Sequence, residues 1–145
     1  MEKEEIRIKQ RYKIEEVLGQ GGFGVTYLAY DEELCQEVVL KKYRWEHGSL
    51  DNEVINKRDY YKKQRKAFLN EARILSSLFD IKEVVKVLDY FEERENAYIV
   101  MEFVQGISLR QYLESRNQPM SFTEAWNFLL PVMEALEKVH QNKLI

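Results

Sequence analysis

The pattern of apolar and polar residues predicts three β-strands in the first third of the chain. The predicted strands cover residues 12–18, 25–30 and 37–43, where β-branched, aromatic and other apolar side chains concentrate. A glycine-rich stretch, 19–24, separates the first two strands. Strand, glycine turn and strand in this order predict an antiparallel hairpin.

Two later stretches have the apolar spacing of α-helices. In the first, apolar residues recur at Phe68, Ala72, Leu75 and Phe79. In the second, over 122–140, the recurring apolar residues are Trp126, Leu129, Leu130, Met133, Leu136 and Val139. Pro131 interrupts this second helix and is expected to kink it. The longest irregular stretch is predicted at 44–56.

The glycines of the turn have the spacing G-x-G-x-x-G, at Gly19, Gly21 and Gly24. Glycines let the backbone approach a phosphate group with no Cβ in the way. A dinucleotide-binding motif has the same spacing but opens a helix after the last glycine, whereas a strand follows here. Two interpretations stay open, which are a hairpin lying over phosphates and an ordinary hairpin turn.

Lys41 lies in an otherwise apolar strand, and Glu71 lies beside the apolar stripe of the first helix. Near a phosphate loop such a lysine serves as a point charge for phosphates, and a carboxylate then holds it in place. The alternatives are an edge-strand lysine and a solvated glutamate on a helix flank.

These motifs together resemble those of protein kinases, specifically the bacterial Ser/Thr kinases of eukaryotic type. Residues 38–41 stand where the family has V-A-I-K, and Glu71 stands where it has the helix glutamate. Residues 97–106 resemble the fifth strand running into the hinge between the two lobes, and 108–113 resemble the short helix after it. Residues 129–140 resemble the long helix that leads to the catalytic loop. The resemblance covers residues 12–145.

The resemblance implies an α+β, protein-kinase-like fold. Its small lobe, expected at 1–101, has a five-stranded antiparallel sheet and one long helix. A hinge is expected at 102–108 and the first helices of the large lobe at 109–145.

The resemblance also implies an ATP site. By this match the Glu102 carbonyl and the Val104 amide hydrogen-bond to the edge of the adenine, and Met101 is the gatekeeper residue behind it. Thr26 and Val39 replace a valine and an alanine of the family pattern, and Val39 is expected to crowd the base. The full set of implied cofactor-binding residues is Leu18, Gly19, Gln20, Gly21, Gly22, Phe23, Gly24, Thr26, Val39, Lys41, Glu71, Met101, Glu102 and Val104.

In the family, the H-R-D motif, the magnesium-binding asparagine that follows it and D-F-G come after the part matched here, so residues 1–145 include none of these positions. We therefore expect no catalytic residue and no metal ligand among these residues, and no phosphoryl transfer by them alone. Mg²⁺, the protein substrate and transfer to Ser or Thr are expected only of the complete domain. The alternative is a pseudokinase-like module that binds a nucleotide or a partner.

Composition narrows the partners further. A net charge of −3 offers no bulk attraction to nucleic acid. A single cysteine, Cys35, excludes an internal disulfide and favours a reducing, cytoplasmic location. No apolar run reaches the length of a membrane span. The basic run at 57–66 predicts a solvated helix face, with a docking patch for a phosphorylated loop as the alternative. The apolar 122–140 helix predicts self-association or a partner.

Overall fold

The computed structural model of the chain describes residues 6–21, 24–43, 54–94 and 96–141. Within them the strands are β1 (Arg7–Ile8), β2 (Tyr12–Gly21), β3 (Gly24–Asp31), β4 (Gln36–Tyr43), β5 (Val87–Glu93) and β6 (Asn96–Glu102). The helices are α1 (Val54–Ser76), α2 (Leu109–Glu114) and α3 (Phe122–Gln141). The strands form one antiparallel sheet in the order β1-β2-β3-β4-β6-β5. The predicted α+β fold is confirmed, and β1 is a two-residue addition to the five expected strands.

One face of the sheet buries a cluster that we call the strand core. Its members on β4 are Val38 and Leu40, which are two residues apart and therefore project to the same face. Its buried members are Ile8, Tyr12, Ala29, Val38, Leu40, Tyr98 and Val100. Because members come from β1, β2, β3, β4 and β6, this core joins nearly the whole width of the sheet.

The opposite face is covered by α1, and we call this contact the helix core. Phe68 and Ala72 of α1 pack on Ala97 and Ile99 of β6. The first two positions of the predicted helical stripe are thus buried, and Leu75 is half-buried. Phe79 was wrongly placed in that stripe, since α1 ends at Ser76 and Phe79 is 71% exposed in the following turn.

The start of α1 also differs from the sequence prediction. The helix begins at Val54, so the last three residues of the predicted irregular stretch are helical, and 44–53 lie outside the described residues. Within the basic run, Arg65 Nε lies 3.4 Å from the Glu92 carboxylate on β5. Part of this run therefore ties α1 to the sheet.

A tight turn at Lys9 and Gln10 brings the start of the chain to the far edge of the sheet. Both residues have left-handed backbones, with φ of 54° and 51°, and the Arg11 N–H donates to the Ile8 carbonyl at 3.1 Å. The Lys9 N–H donates to both carboxylate oxygens of Glu93 on β5, at 3.1 Å each.

A second carboxylate on β5 strengthens this closure. Asp89 accepts hydrogen bonds from Lys9 Nζ at 3.0 Å and from the Tyr12 hydroxyl at 3.1 Å. Burial alone raises the pKa of Asp89, but the hydrogen bonds and charge of Lys9, with help from Tyr12, lower it on balance. The turn between β1 and β2 is thus hydrogen-bonded to β5, which lies at the opposite end of the sheet order, and this contact curls the sheet.

The most buried charge in the described residues is Asp31, at the end of β3. Its carboxylate accepts hydrogen bonds from Arg11 Nε at 2.8 Å and from Arg11 Nη2 at 2.7 Å. It also accepts the backbone N–H groups of Glu33 and Leu34. The hydrogen bond from Arg11 is the main cause that lowers the pKa of Asp31.

The C-terminal part carries α2 and α3. Ser108 and Gln111 form a reciprocal capping box at the start of α2. Helix α3 continues through Pro131 as one helix, and its Ala135 is buried against Leu78 and Ile81. None of the helices in the described residues is long and apolar enough to cross a lipid bilayer.

Most of the apolar face of α3 is exposed. Its ring contact with α2 is between Phe128 and Tyr112, with centroids 5.5 Å apart. Val139 of the predicted stripe is packed on the Ala135 cluster. The large apolar side chains of α3 that are more than a third exposed are Phe122, Trp126, Phe128, Leu129, Leu130, Val132, Met133 and Leu136.

We predict that Asp31→Asn lowers the free energy of unfolding by about 2 kcal/mol at about pH 7, because a buried charge-assisted pair loses one charge. Glu33→Gln is the matched control. Glu33 also contacts Arg11, at 2.9 Å, but its side chain is 67% exposed, so we expect a loss of less than about 0.5 kcal/mol. Urea unfolding of the three chains measures both values.

The same variant has a predicted pH dependence. The folded pKa of Asp31 lies below its ordinary value of 3.8. The stabilisation that the Asp31 carboxylate gives to the fold is therefore fully present above its ordinary pKa of 3.8. It is lost as the pH falls through the lower pKa of the folded state. The stability difference between the parent and Asp31→Asn should be constant from about pH 7 to about pH 5 and shrink towards about pH 3. A difference that grows on acidification contradicts this account of the pair.

Candidate functional site

A single rung of the sheet joins several predicted site residues. Gly19 pairs with Thr26, Thr26 pairs with Lys41, and Lys41 pairs with Ile99. Directly paired residues of antiparallel strands project to the same face. Because Ile99 belongs to the helix core, this rung shows that Lys41 projects towards the face that α1 covers.

The neighbouring rungs on that face extend the site in both directions. On one side Val39 pairs with both Leu28 and Met101. On the other side Tyr43 pairs with Gly24, the last glycine of the turn. Strand β4 therefore presents Val39, Lys41 and Tyr43 in a row between the glycine turn and the end of β6.

Lys41 and Glu71 form the ion pair that the family resemblance implies. Lys41 Nζ lies 3.4 Å from Glu71 Oε1, which joins the middle of β4 to α1. The pair is accessible to solvent, because the side chain of Lys41 is 29% exposed and that of Glu71 is 52% exposed. An open, long pair of this kind holds the ammonium loosely and leaves it accessible to another anion.

The Lys41 ammonium has a second contact on α1 that sequence reasoning missed. It lies over the ring of Phe68, 5.6 Å from the ring centroid. Phe68 in turn packs against Tyr43, with centroids 5.4 Å apart. The signal in the sequence was the position of Phe68 one helical turn before Glu71.

The glycine turn is open where the structure describes it. A Cβ built on Gly19 or Gly21 meets no atom within 4 Å, so packing inside the described structure does not require glycine at these positions. Gly24 has a φ of 151°, which residues with a side chain rarely adopt. Leu18 and Gln20 are exposed, and Gly22 and Phe23 lie outside the described residues.

The first residue of the predicted hinge, Glu102, makes two hydrogen bonds with the backbone of Lys86. The Glu102 carboxylate accepts the Lys86 N–H at 2.9 Å, and the Glu102 N–H donates to the Lys86 carbonyl at 3.0 Å. Met101 packs partly buried on the helix core, and Val104 is exposed in irregular backbone. The role of the Glu102 side chain in fixing the end of β6 was not predicted.

This arrangement combines three chemical elements on one face. The turn provides glycine backbone that a phosphate can approach closely. Lys41 provides a partly exposed cation, and Val39 with Leu28 provides partly buried apolar surface in the adjacent rung. An apolar surface beside a cation and open glycine backbone suits a ligand that has a flat apolar part and an anionic part.

Residues 12–145 match the family model described as the protein kinase domain. The chain therefore belongs to the protein kinase family. It is 37% identical over 139 residues to the serine/threonine-protein kinase PrkC of Bacillus subtilis, covering 96% of this chain and 19% of that protein. It is 29% identical to the serine/threonine-protein kinase B of Synechocystis sp., covering 97% of this chain and 23% of that protein. The chain thus spans about a fifth of the length of these relatives.

Solved structures agree with the fold. The structure described as the PpkA-294 apo form is 26% identical with a TM-score of 0.75, over 94% of this chain and 50% of that one. The PknI kinase domain of Mycobacterium tuberculosis is 22% identical with a TM-score of 0.69, over 94% of this chain and 51% of that one. The described sheet and helices are the small lobe and the start of the large lobe of a kinase fold.

We predict that Glu71→Gln lowers the free energy of unfolding by less than about 1 kcal/mol, because the pair is long and its carboxylate is half exposed. Thermal and urea unfolding of the parent and the variant measure this. Glu114→Gln, which removes an exposed pair with Arg110 on α2, is the control and should behave alike. A loss for Glu71→Gln as large as that for Asp31→Asn would mean that the Lys41 pair supports the fold itself.

Proposed function

We propose that these residues form the ATP-binding portion of a Ser/Thr protein kinase domain. In the complete domain the γ-phosphoryl group of ATP is transferred to a Ser or Thr of a protein substrate. The observation that carries the proposal is the rung that aligns Gly19, Thr26 and Lys41, with Glu71 in contact with the lysine. Membership of the protein kinase family supports it.

The proposed division of the chain follows the same match. Residues 1–101 are the small lobe, 102–108 the hinge, and 109–145 the beginning of the large lobe. The complete domain would work in the cytoplasm, where ATP is present, and the single cysteine fits that reducing compartment.

We propose that the adenine lies against Val39 and Thr26 and meets the backbone of Glu102 and Val104, with Met101 behind it. In this proposal the backbone at Gly19, Gly21 and Gly24 lies against the phosphates. Lys41 neutralises phosphate charge, and Glu71 keeps its ammonium on the α1 face. ATP supplies the phosphoryl group, and Mg²⁺ is expected to accompany it in the complete domain.

The test is the affinity of the 145-residue chain for ATP and for adenosine, measured by isothermal titration calorimetry. Lys41→Met should weaken ATP binding by at least about tenfold, because a charge-assisted contact with phosphate is lost. Adenosine has no phosphate, so its affinity should not change. We expect both parent affinities to be weak, since Val39 narrows the adenine surface.

Lys42→Met is the matched control for this experiment. Lys42 is the next residue of β4 and pairs with Val25 and Tyr98, so it projects to the opposite face of the sheet. The Lys42→Met variant should bind ATP with the same affinity as the parent. An equal loss of ATP affinity in Lys41→Met and Lys42→Met would refute the proposed site. An ATP affinity that is unchanged in Lys41→Met would refute it too.

The exposed face of α3 favours a second function, self-association. Each large apolar side chain left in water forgoes about 1.5–3 kcal/mol of burial. In a solution of the purified chain, the molecule available to cover this face is a second copy, and we propose that it does so.

We predict that light scattering finds oligomers of the parent whose fraction grows with concentration. A variant with Leu129, Met133 and Leu136 all changed to Gln should be monomeric, because it loses three exposed apolar side chains of α3. Leu34→Gln is the control, since Leu34 is similarly exposed but lies between β3 and β4. A parent that stays monomeric at all concentrations contradicts self-association.

A further inference from the structure

The Lys41 ammonium touches one turn of α1 at two points. Glu71 contacts it with a carboxylate oxygen at 3.4 Å, and Phe68, three residues earlier, contacts it with its ring at 5.6 Å from the centroid. Residues three apart on a helix project to the same side. The position of α1 therefore sets both contacts at once.

The two contacts differ in how firmly they are held. The Glu71 side chain is 52% exposed and its pair with Lys41 is long. The Phe68 ring is 6% exposed and is enclosed by Ala72, Ala97 and Ile99 in the helix core, with Tyr43 packed on it. The aromatic contact is thus the more rigid of the two.

A rigid contact matters because lysine is flexible. The four-carbon stem of Lys41 can direct its ammonium in many directions, and an exposed carboxylate restricts it little. The face of an aromatic ring attracts a cation through its quadrupole, within about 6 Å of the centroid. The attraction leaves the charge of the cation uncompensated, so the ammonium can still bind an incoming anion.

We propose that Phe68 is a positioning residue for the phosphates of the nucleotide and that it acts through Lys41. Its ring holds the ammonium on the face of the sheet that carries the glycine turn. The proposal rests on the proposed function, because it requires Lys41 to meet phosphate. It adds that the π-face of residue 68 is needed, as well as its apolar volume.

Two variants separate the π-face from the volume. Phe68→Leu keeps an apolar side chain in the helix core and removes the ring. Pentafluorophenylalanine at position 68 keeps the ring shape but reverses its quadrupole, which turns attraction for the ammonium into repulsion.

Phe91→Leu is the matched control. Phe91 lies on β5 and, like Phe68, has a lysine over its ring, Lys9 at 4.6 Å from the centroid, and it stacks on Tyr12 at 5.8 Å. It is partly buried against the strand core. Because it pairs with Tyr98, whereas Lys41 pairs with Ile99, it projects to the face of the sheet opposite Lys41. Any general effect of removing a packed ring should appear in this variant too.

Calorimetry with ATP and with adenosine on the 145-residue chain provides the first readout. Both Phe68 variants should bind ATP about two- to fivefold more weakly than the parent and adenosine equally well. Phe91→Leu should match the parent for both ligands. In a Lys41→Met background, Phe68→Leu should have no further effect on ATP affinity.

The second readout is spectroscopic and does not involve a nucleotide. The ring current of Phe68 should shift the proton NMR signals of the Lys41 ε-methylene upfield in the parent. The shift should disappear in Phe68→Leu and persist in Phe91→Leu.

Three results would overturn the proposal. One is unchanged ATP affinity in Phe68→Leu while Lys41→Met loses affinity, which refutes the role of Phe68 alone. Another is equal weakening for ATP and adenosine, which indicates a packing role. The third is ATP binding that is independent of Lys41, which refutes the proposed function together with this inference.

Discussion

The burial of the central strands on both faces is the constraint on which the rest of the structure depends. On β6, Tyr98 and Val100 enter the strand core, while Ala97 and Ile99 enter the helix core. The register of β4 against β6 is then fixed, because a slip of one residue would turn the Lys41 ammonium into the strand core and remove Leu40 from it. The alignment of Lys41 with the glycine turn follows from this register.

The chain uses its charged side chains in two different ways. Arg11 and Asp31 form a bidentate pair with a nearly inaccessible carboxylate, and two backbone N–H groups complete it. Lys41 and Glu71 form a long, open pair. The first arrangement costs desolvation and holds the end of β3 in place. The second leaves a cation that can bind a ligand anion, which is the requirement of the proposed site.

Local patterns predicted the parts of the structure that depend on neighbours in sequence. The hairpin around the glycine turn, the strand around Lys41 and the inward positions of Phe68 and Ala72 follow from residue type and spacing. The approach of Glu71 to Lys41 required the family resemblance, since spacing alone allowed a solvated glutamate.

The parts that depend on distant residues were not predictable in this way. Lys9 contacts Asp89 and Glu93 on the far edge strand, some eighty positions away, and no local pattern marks such a closure. The helical stripe identified Phe68 as buried but did not reveal that its ring faces an ammonium. Phe79 was misassigned because spacing does not show where a helix ends, and Leu78 takes the buried position after α1.

The most direct test of the central claim is a chemical-shift map of the isotope-labelled chain during titration with ATP. The account predicts that the largest changes fall on the amides of Gly19, Gly21 and Val104 and on the Lys41 ε-methylene, which line the proposed nucleotide site. It predicts no change at Lys42 or Asp31, which lie in other environments. Changes centred on the strand core or on α3, with the Lys41 signals unmoved, would contradict it.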